Sequence, residues 1–567
     1  MQVGLTTVSR LPRGLHWGVL AAVLTMAAVQ FLVTVSTLLA STLQHPFQDQ
    51  FRLYMRYLTV PFPLSVLELE SGHHPVFNGI VRCIELKWYG GSTWLQEATA
   101  WGAAALVTIM LLWDTIRTLP RTLAAIGVCL IFTLLWWNAN SRMFIHAYEA
   151  TNLFYILGAL MVAVWCAEAA ERGHRHSLLW TCALLACIFA TLSFGPGICT
   201  FAALFVLAVM RRERPSVMAT IACVALATFA IYFWVLPGAD GVRNTSRNTP
   251  PVTALYFFVA RMGAPLHEGL LRFSMEDPLR VALTVACGGL VLVAGTVVLL
   301  RDWRAKHPFS RIACVAIAMF IFSMSTNFMI AANRSELFLA YPDQIFADRY
   351  LFWSCVGWLG AGLYALTRPG MANLWPTFAA VAIVLVASFG ALSRANSYSD
   401  WSASVYRNVE LGTAGLAIGL REGATVKDIA DPDLAATYRG VDVLRANSVS
   451  DYGSNIDRIV PVPATDSAPA VAFKRGPEAN LIAGLLPVAA AKSLRKTTLW
   501  VASADGSVIG RTAMTASSTI PNKIRIGVPV LDRFEGYVLP GTAPAKWLVR
   551  FDGKAPVIVA ELMESAP

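Results

Sequence analysis

Long apolar segments recur along the first 393 residues and constrain the fold of this chain more than any other feature. An α-helix needs about 20 apolar residues to cross the hydrocarbon core of a bilayer. Segments that approach or exceed this length lie near residues 16–41, 97–115, 122–139, 152–170, 178–194, 197–210, 216–236, 279–300, 310–332, 350–367 and 373–392. The pattern predicts an α-helical polytopic membrane protein with about 11 transmembrane helices.

The composition is also typical of a membrane protein. Of the 567 residues, 56% are hydrophobic and 14% are charged, so the chain has more apolar surface than a soluble core of this length can bury. The net charge of +10 comes largely from arginines beside apolar segments, as in membrane proteins, and we predict no nucleic-acid partner. The ten cysteines include no CxxC pair and predict neither a metal site nor a disulfide.

Short arginine-rich connections set the predicted orientation. They lie at residues 117–121, 171–176, 211–214 and 301–311. Positive residues favour the cytoplasmic side, so we predict a cytoplasmic N-terminus. An odd number of crossings then places the C-terminal part and the long connections on the periplasmic or extracellular face. Those long connections are 42–96, 140–151, 237–278 and 333–349.

The composition changes after Arg394 to that of a soluble domain. We therefore predict a transmembrane domain (1–393) with the outer loop 42–96, a periplasmic helical linker unit (394–454) and a periplasmic β-rich domain (455–567). Short β-prone runs in the last part, such as "TTLWVAS" and "KIRIGVPVL", alternate with Gly, Pro, Asp and Asn. This pattern predicts a C-terminal α/β domain that ends in a small β-sandwich.

The first outer loop contains several titratable side chains. Asp49, Glu68 and Glu70 are acids close to a membrane helix, where partial desolvation raises a carboxyl pKa and favours proton acceptance. The alternative is that an outer loop simply needs polar residues. His73 and His74 are adjacent and would hydrogen-bond a phosphate or hydroxyl, ligate a metal or catalyse acyl transfer. Two histidines without a cysteine partner make a weak metal site, so we predict none.

Basic residues of the predicted outer face form a second group. Arg52, Arg334 and Arg349 lie where positive charge is usually depleted, and the guanidinium group recognises phosphate through a bidentate fork. Asp348 and Tyr350 flank Arg349 at the mouth of a predicted span. We expect this group to bind an anionic lipid headgroup or a lipid-linked phosphate; contact with ordinary membrane phospholipid is the alternative.

The stretch "ESGHHPVFNGIVRCIELKWYGG" resembles the first outer loop of bacterial polytopic proteins related to GT-C glycosyltransferases. Gly72 stands where that pattern has an acid, and Glu70 lies two residues earlier. Further stretches fall in the same order, so that the resemblance covers most of residues 20–453: "FIHAYEATNLFYILG", "NRSELFLAYPDQIFADRYLFWS" and "DIADPDLAATYRGVDVLRANSVSDYG". The residues that match in the first stretch are His73, His74, Val76, Phe77, Gly90 and Gly91.

The resemblance implies a membrane enzyme that moves a sugar from a polyprenyl-phosphate carrier to an envelope glycan or lipid acceptor on the outer face. Asp49 occupies the place of the catalytic base, and Arg334, Arg349 or a histidine would stabilise the phosphate that leaves. The acceptor hydroxyl would displace the phosphate directly, with inversion at the anomeric carbon. The resemblance leaves open a divalent cation, Mg²⁺ or Mn²⁺.

Three other functions remain open from the sequence. A membrane O-acyltransferase would use His73 or His74, because "HHPVFN" is one residue from an HHxxxD pattern; Asn78, however, stands in place of the aspartate that orients the histidine. A lipid-linked glycan transporter would show related halves and charges at mid-membrane, and neither is evident. The last alternative is a non-enzymatic scaffold for envelope assembly.

Overall fold

A computed structural model describes residues 13–70, 72–172, 176–237, 249–271, 275–306, 308–368, 384, 388, 390, 392–421, 424–430, 433–449, 452, 469–475, 481–487, 498–515, 533–542, 544–552 and 555–564. The chain divides into two compact units. The first unit comprises Met1–Leu38, Val66–Gly79 and Glu97–Tyr398, and the second comprises Leu39–Ser65, Ile80–Gln96 and Ser399–Pro567.

Helices dominate the described residues before 447. They are α1 (Arg13–Ser41), α2 (Gln50–Thr59), α3 (Leu64–Leu67), α4 (Val76–Trp88), α5 (Trp94–Thr118), α6 (Arg121–Leu130), α7 (Ser141–Ile145), α8 (Ala147–Arg172), α9 (His176–Ser193), α10 (Cys199–Met210), α11 (Pro215–Ala230), α12 (Pro251–Met262), α13 (Ala264–Leu270), α14 (Asp277–Arg304), α15 (Arg311–Asn333), α16 (Ser335–Ala340), α17 (Asp348–Leu366), α18 (Ala395–Ala417), α19 (Ala424–Ile429) and α20 (Leu434–Ala446).

Local sequence explains where several of these helices begin. Pro215 and Pro251 are the first residues of α11 and α12, and Pro278 is the second residue of α14. Proline suits a first turn because the N–H group that it lacks would have no helical partner there. At the start of α15 the Ser310 hydroxyl accepts a hydrogen bond from the Ala313 N–H at 3.4 Å. These residues fix the beginnings of long apolar helices.

Eight helical segments in the described residues are long and apolar enough to cross a membrane. They are Ala21–Ser41, Trp94–Thr118, Arg121–Ile145, Ala147–Glu171, His176–Ser193, Pro215–Val235, Asp277–Arg304 and Arg311–Asn333. The prediction of a mostly helical, membrane-embedded chain is confirmed at this level.

The predicted number of 11 spans is not reproduced. The segment near 197–210 forms α10, whose 12 residues are too few to cross a bilayer. The segment near 350–367 corresponds to α17, a helix of 19 residues that is not one of the eight. Most of the predicted span near 373–392 lies outside the described residues. Length therefore separates the eight segments from α10.

The surface of the first unit carries large apolar side chains. Leu226 of α11 is 70% exposed, Trp234 in the following π-helical turn is 74% exposed, and Leu290 of α14 is 67% exposed. A soluble monomer rarely exposes so many large apolar groups, whereas lipid tails solvate them without cost. By contrast, α15 and α17 pack together and are largely buried.

Glycines allow α12 and α14 to approach each other closely. A Cβ atom at Gly288 of α14 would lie 2.0 Å from the main-chain oxygen of Val259. A Cβ atom at Gly263 would lie 2.0 Å from the oxygen of Thr284. Neither distance is sterically possible, so both contacts require glycine. The neighbouring Gly289 differs, because a Cβ atom there would lie 3.8 Å from the Val259 side chain.

The first unit also contains a buried ionic contact among three predicted spans. Arg311 of α15 lies 3.6 Å from Asp114 of α5 and 3.3 Å from Glu168 of α8. Both acids are almost completely buried, and the Trp165 indole N–H donates to Asp114 at 2.7 Å. Buried acids need such partners, because an unpaired buried charge is strongly destabilising.

The second unit ends in a closed β-barrel rather than the predicted sandwich. The strands are β1 (Ala470–Arg475), β2 (Leu481–Leu485), β3 (Leu499–Ser503), β4 (Val508–Thr515), β5 (Arg533–Val538), β6 (Ala545–Asp552) and β7 (Ala555–Glu564). Their order in the described sheet is β1-β2-β5-β4-β3-β6-β7. A parallel pairing of β1 with β7 joins the two edges that a sandwich would leave open. The predicted strand "KIRIGVPVL" lies outside the described residues.

Within the second unit, helix α20 packs against α2 of the first loop, and α18 contacts the barrel. The main chains of α2 and α20 approach so closely that a Cβ atom at Gly440 would lie 2.7 Å from the oxygen of Phe51. Arg407 of α18 and Arg533 of β5 both form ion pairs with Glu535, which is 1% exposed. Residues 399–567, which hold most of the predicted helical linker and all of the predicted β-rich domain, thus belong to one compact unit with residues 39–65 and 80–96.

Candidate functional site

Asp49 and Arg52, which the sequence predicts as base and substrate contact, belong to the second unit. Asp49 is the N-cap residue of α2, and its Oδ1 lies 3.7 Å from Arg52 Nη2. The two side chains are 46% and 47% exposed, so this ion pair is solvated and worth less than about 1 kcal/mol. The exposure of Asp49 does not provide the desolvation that the sequence argument assigned to an acid near a membrane helix.

Glu68 and Glu70 belong to the first unit, where they precede the histidine pair. Glu68 is half-buried and Glu70 is 5% exposed. The main chains of Glu70 and His73 exchange two hydrogen bonds, of 2.6 and 2.8 Å. Gly72 makes this tight turn possible because its φ of +86° is unfavourable for other residues. The glycine at the place of the expected acid therefore has a backbone role.

His73 has an apolar and cationic environment. Its ring centroid lies 4.3 Å from that of Phe194, and a Cβ atom at Gly195 would clash with the imidazole. Desolvation, together with the positive charges of Arg334 and His74, lowers the pKa of His73 to about 4. The ring is therefore neutral near pH 7 and can act as a hydrogen-bond donor and acceptor without adding charge. Arg334 itself is exposed at the end of α15.

His74 is fully buried and held by neighbouring groups. Its backbone N–H donates to the Tyr232 hydroxyl at 3.0 Å, and its Nδ1 lies 2.8 Å from the Leu67 oxygen. Asn78 donates to the Tyr148 oxygen at 2.9 Å and to Asn152 Oδ1 at 3.0 Å, rather than to a histidine. The asparagine at the Asp position of the HHxxxD pattern therefore does not orient His73 or His74.

Six side chains of the first unit form what we call the acid–arginine cluster. Glu268 of α13 accepts hydrogen bonds from Arg394 Nη1 at 2.6 Å and from the Tyr398 hydroxyl, and its side chain is 12% exposed. Burial raises the pKa of Glu268, although Tyr398 and Arg394 oppose the shift. The members of the cluster are Arg142, Glu268, Asp348, Arg349, Arg394 and Tyr398.

Asp348 is the second acid of the cluster. Its Oδ1 lies 3.8 Å from Arg142 Nη1 and accepts the backbone N–H of Arg349 at 2.7 Å. Burial raises the pKa of Asp348, while Arg142 opposes the shift. Asp348 is also close enough to Glu268 to raise the pKa of that carboxyl. The predicted neighbours Asp348 and Arg349 are thus joined by two residues that sequence reasoning did not select, Arg142 and Glu268.

Arg349 is held in place by polar and aromatic contacts. Its Nη2 donates to Gln344 Oε1 at 2.8 Å, and its guanidinium carbon lies 4.9 Å from the Tyr350 ring centroid. The buried Arg261 lies 4.8 Å from the same ring. Arg261 Nη2 also donates to Asn327 Oδ1 at 2.7 Å. Tyr350 therefore packs against two guanidinium groups, which fixes the direction in which Arg349 points.

The acid–arginine cluster has more positive than negative groups. Arg142 pairs with Asp348 and Arg394 pairs with Glu268, and the third arginine, Arg349, is close enough to Asp348 to lower the pKa of that carboxyl. Three guanidinium groups and two carboxyl groups leave the cluster with a net positive charge even when both carboxyl groups are ionised, so an added anion would be attracted. Arginine forks match the oxygen geometry of phosphate. The arrangement can therefore hold a phosphate group beside a carboxyl that accepts protons.

Sequence reasoning missed Arg142, Glu268, Arg394 and Tyr398. A local signal exists for Glu268, which interrupts the apolar helix "APLHEGL". Another exists for Arg394 and Tyr398, because their spacing of four residues puts both on one side of a helix. Arg142 has no comparable signal: it sits in a short helix among buried residues, and only the folded contact with Asp348 identifies it.

A metal donor set is not found in the ranges that the structure describes. No three His, Cys, Asp or Glu side chains there come close enough together to hold a metal ion. The described ranges therefore offer no ready donor set for the divalent cation that the resemblance left open.

Comparisons with known proteins give no match, whether with family models, curated proteins or solved structures. Within the first unit, the acid–arginine cluster joins the largely buried Glu268 and the partly buried Asp348 to arginine side chains.

Proposed function

We propose that this chain is a membrane glycosyltransferase of the GT-C type. It moves a sugar from a polyprenyl-phosphate donor to an envelope glycan or lipid acceptor on the periplasmic face of a bacterial inner membrane. The proposal combines the sequence resemblance with the chemistry of the acid–arginine cluster. The apolar helices would bring the site to the depth at which a lipid-linked phosphate lies.

One observation carries the proposal: the acid–arginine cluster brings three arginines together with two partly buried carboxyl groups. Its members come from each predicted outer connection after the first loop and from the residues after 393. A polyprenyl-phosphate donor has an anionic group at the membrane surface, and the excess of positive charge complements it. A free glycan or a neutral lipid would not need this charge.

The proposed reaction is a direct displacement. The acceptor hydroxyl gives its proton to a carboxyl base as its oxygen bonds to the anomeric carbon; the bond from that carbon to the phosphate oxygen breaks, and its electron pair leaves on the phosphate. Arg349 and Arg142 stabilise this growing negative charge. His73, which is neutral near pH 7, and the exposed Arg334 form a second group that can donate hydrogen bonds to the donor phosphate.

The test is sugar transfer by the purified full chain in lipid nanodiscs, with a panel of polyprenyl-phosphate monosaccharides as donors. Arg349→Ala should raise the donor KM by about tenfold or more, because a charge-assisted phosphate contact is worth about 1.5–3 kcal/mol. The matched control is Arg421→Ala, which removes an arginine of an exposed ion pair in the second unit. This control should leave KM unchanged.

The same assay tests the predicted base. If Asp49 has that role, Asp49→Asn lowers kcat by at least about a hundredfold while the protein stays in the membrane. No transfer from any donor by the wild-type chain would refute the glycosyltransferase proposal. Acyl transfer that depends on His74 would instead favour the acyltransferase alternative.

A further inference from the structure

The carboxyl group of Glu268 is held through only one of its oxygens. Arg394 Nη1 and the Tyr398 hydroxyl both donate to Oε1. Within the described part of the chain, no hydrogen bond is donated to Oε2. Two donors on one oxygen fix the orientation of the carboxyl plane and leave the lone pairs of the other oxygen available. A carboxyl that only anchored two helices would gain by sharing its donors between both oxygens.

We propose that Glu268 is the general base of the transfer reaction and that Arg394 and Tyr398 are its positioning residues. This inference rests on the proposed glycosyltransferase function. The acceptor hydroxyl gives its proton to Glu268 Oε2 as its oxygen bonds to the anomeric carbon, and the phosphate leaves with the electron pair of the broken bond. The proton stays on Glu268 until it is released to solvent. Sequence reasoning gives this role to Asp49.

The surroundings of Glu268 make it a better proton acceptor than an exposed carboxyl group. Its side chain is 12% exposed, compared with 46% for Asp49. The charged and titratable groups that face it are Arg394 and Tyr398 from the α18 region and Asp348 and Cys355 from α17. Burial outweighs the two donors and raises the pKa of Glu268. A carboxyl whose pKa approaches the working pH is a more effective base than an exposed one.

The position of Glu268 within the acid–arginine cluster also suits a general base. A general base must be within reach of the acceptor while the donor phosphate is held nearby. Asp348 is close enough to Glu268 to affect its pKa, and Asp348 contacts both Arg142 and the backbone of Arg349. The proton acceptor and the phosphate-binding arginines are therefore neighbours in one compact unit.

The experiment compares the wild-type chain with Glu268→Gln, Tyr398→Phe, Asp49→Asn and the exposed control Glu276→Gln. Transfer from a polyprenyl-phosphate sugar is measured in nanodiscs between about pH 5 and pH 9. Glu268→Gln should lower kcat by at least about a hundredfold with little change in donor KM, whereas Glu276→Gln should retain wild-type rates. Size-exclusion profiles and melting temperatures establish that each variant is folded.

The Tyr398 variant provides a readout that a purely structural role would not change. Its hydroxyl stabilises the Glu268 carboxylate, so Tyr398→Phe should raise the pKa of Glu268. The acid limb of the kcat profile should then move upward by about half a pH unit to one pH unit, with full activity kept at high pH. This variant carries the test if Glu268→Gln does not fold.

The outcomes separate this inference from the proposed function. An active wild-type chain with an equally active Glu268→Gln overturns the role of Glu268 and leaves the glycosyltransferase proposal intact. A Glu268→Gln variant that loses melting temperature but keeps kcat shows that the residue only joins helices. A wild-type chain that transfers no sugar overturns both. Loss of activity in Asp49→Asn alone returns the base to Asp49.

Discussion

At the scale of single residues, the environment of His267 lets us predict how the stability of the protein changes in acid. The ring is buried and stacks on Phe346 with centroids 3.8 Å apart. Burial and the positive charge of Arg280 lower the pKa of His267 to about 4, and Arg394 acts in the same direction, while Asp277 and Asp343 oppose it. An unfolded histidine has a pKa of about 6.5, so the unfolded chain binds the proton first as the pH falls.

Because the pKa of His267 is lower in the folded chain, acid destabilises the folded state. The stabilising contribution of a neutral His267 is complete above about pH 6.5 and is lost as the pH falls toward 4, and it amounts to at most about 3 kcal/mol. His73 contributes in the same direction because its pKa is also lowered to about 4. The melting temperature of the wild-type chain should fall between about pH 7 and pH 5, and His267→Gln should fall less steeply. Equal slopes would contradict the prediction.

Single residues also show why the candidate site could be predicted only in part. Asp348 and Arg349 can be recognised as candidate site residues because they are adjacent in sequence and lie at the end of an apolar segment. Glu268 was not, because its partners Arg394 and Tyr398 are 126 and 130 residues away. Burial of Glu268 and exposure of Asp49 are both products of tertiary packing. A sequence gives no direct measure of either.

At the scale of elements, the crossing of α12 and α14 can be tested with two adjacent glycines. Gly288→Ala would place a methyl group 2.0 Å from the Val259 oxygen, so the helices must separate, and we expect a loss of about 1–3 kcal/mol in stability. Gly289→Ala is the matched control, because its methyl group would lie at an ordinary contact distance of 3.8 Å. Melting of both variants in one detergent gives the comparison. A Gly288→Ala variant as stable as Gly289→Ala would disprove the close approach.

Elements also differ in how far sequence can predict them. Apolar length alone identified the eight long helices, because crossing a bilayer requires a fixed number of residues. The strand β3 coincides with the β-prone run "TTLWVAS" that the sequence singles out. The closure of the strands into a barrel was not predicted, because the parallel pairing of β1 with β7 joins residues such as Val471 and Leu562 that are far apart in the chain. Alternating β-prone runs suit a sandwich or a barrel equally well.

At the scale of the whole molecule, the orientation in the membrane follows from the arginine-rich connections and remains a prediction. The segments at 117–121, 211–214 and 301–311 should lie in the cytoplasm, and the residues after 393 should lie outside. Alkaline phosphatase is active only where its disulfides form, outside the cytoplasm. A fusion after Ala430 should therefore be active and one after Arg212 inactive. This pair of fusions tests orientation without reference to catalysis.

An active fusion after Arg212 with an inactive one after Ala430 would show that the topology is inverted. That result would also contradict the proposed chemistry. Arg142, Glu268, Asp348 and Arg394 lie in connections assigned to the outer face, so an inverted chain would present the acid–arginine cluster to the cytoplasm. A polyprenyl-phosphate sugar that reacts on the outer face could not reach a cluster on the other side of the bilayer. The expected result, an active fusion after Ala430 only, keeps donor phosphate, arginines and Glu268 on one side of the membrane.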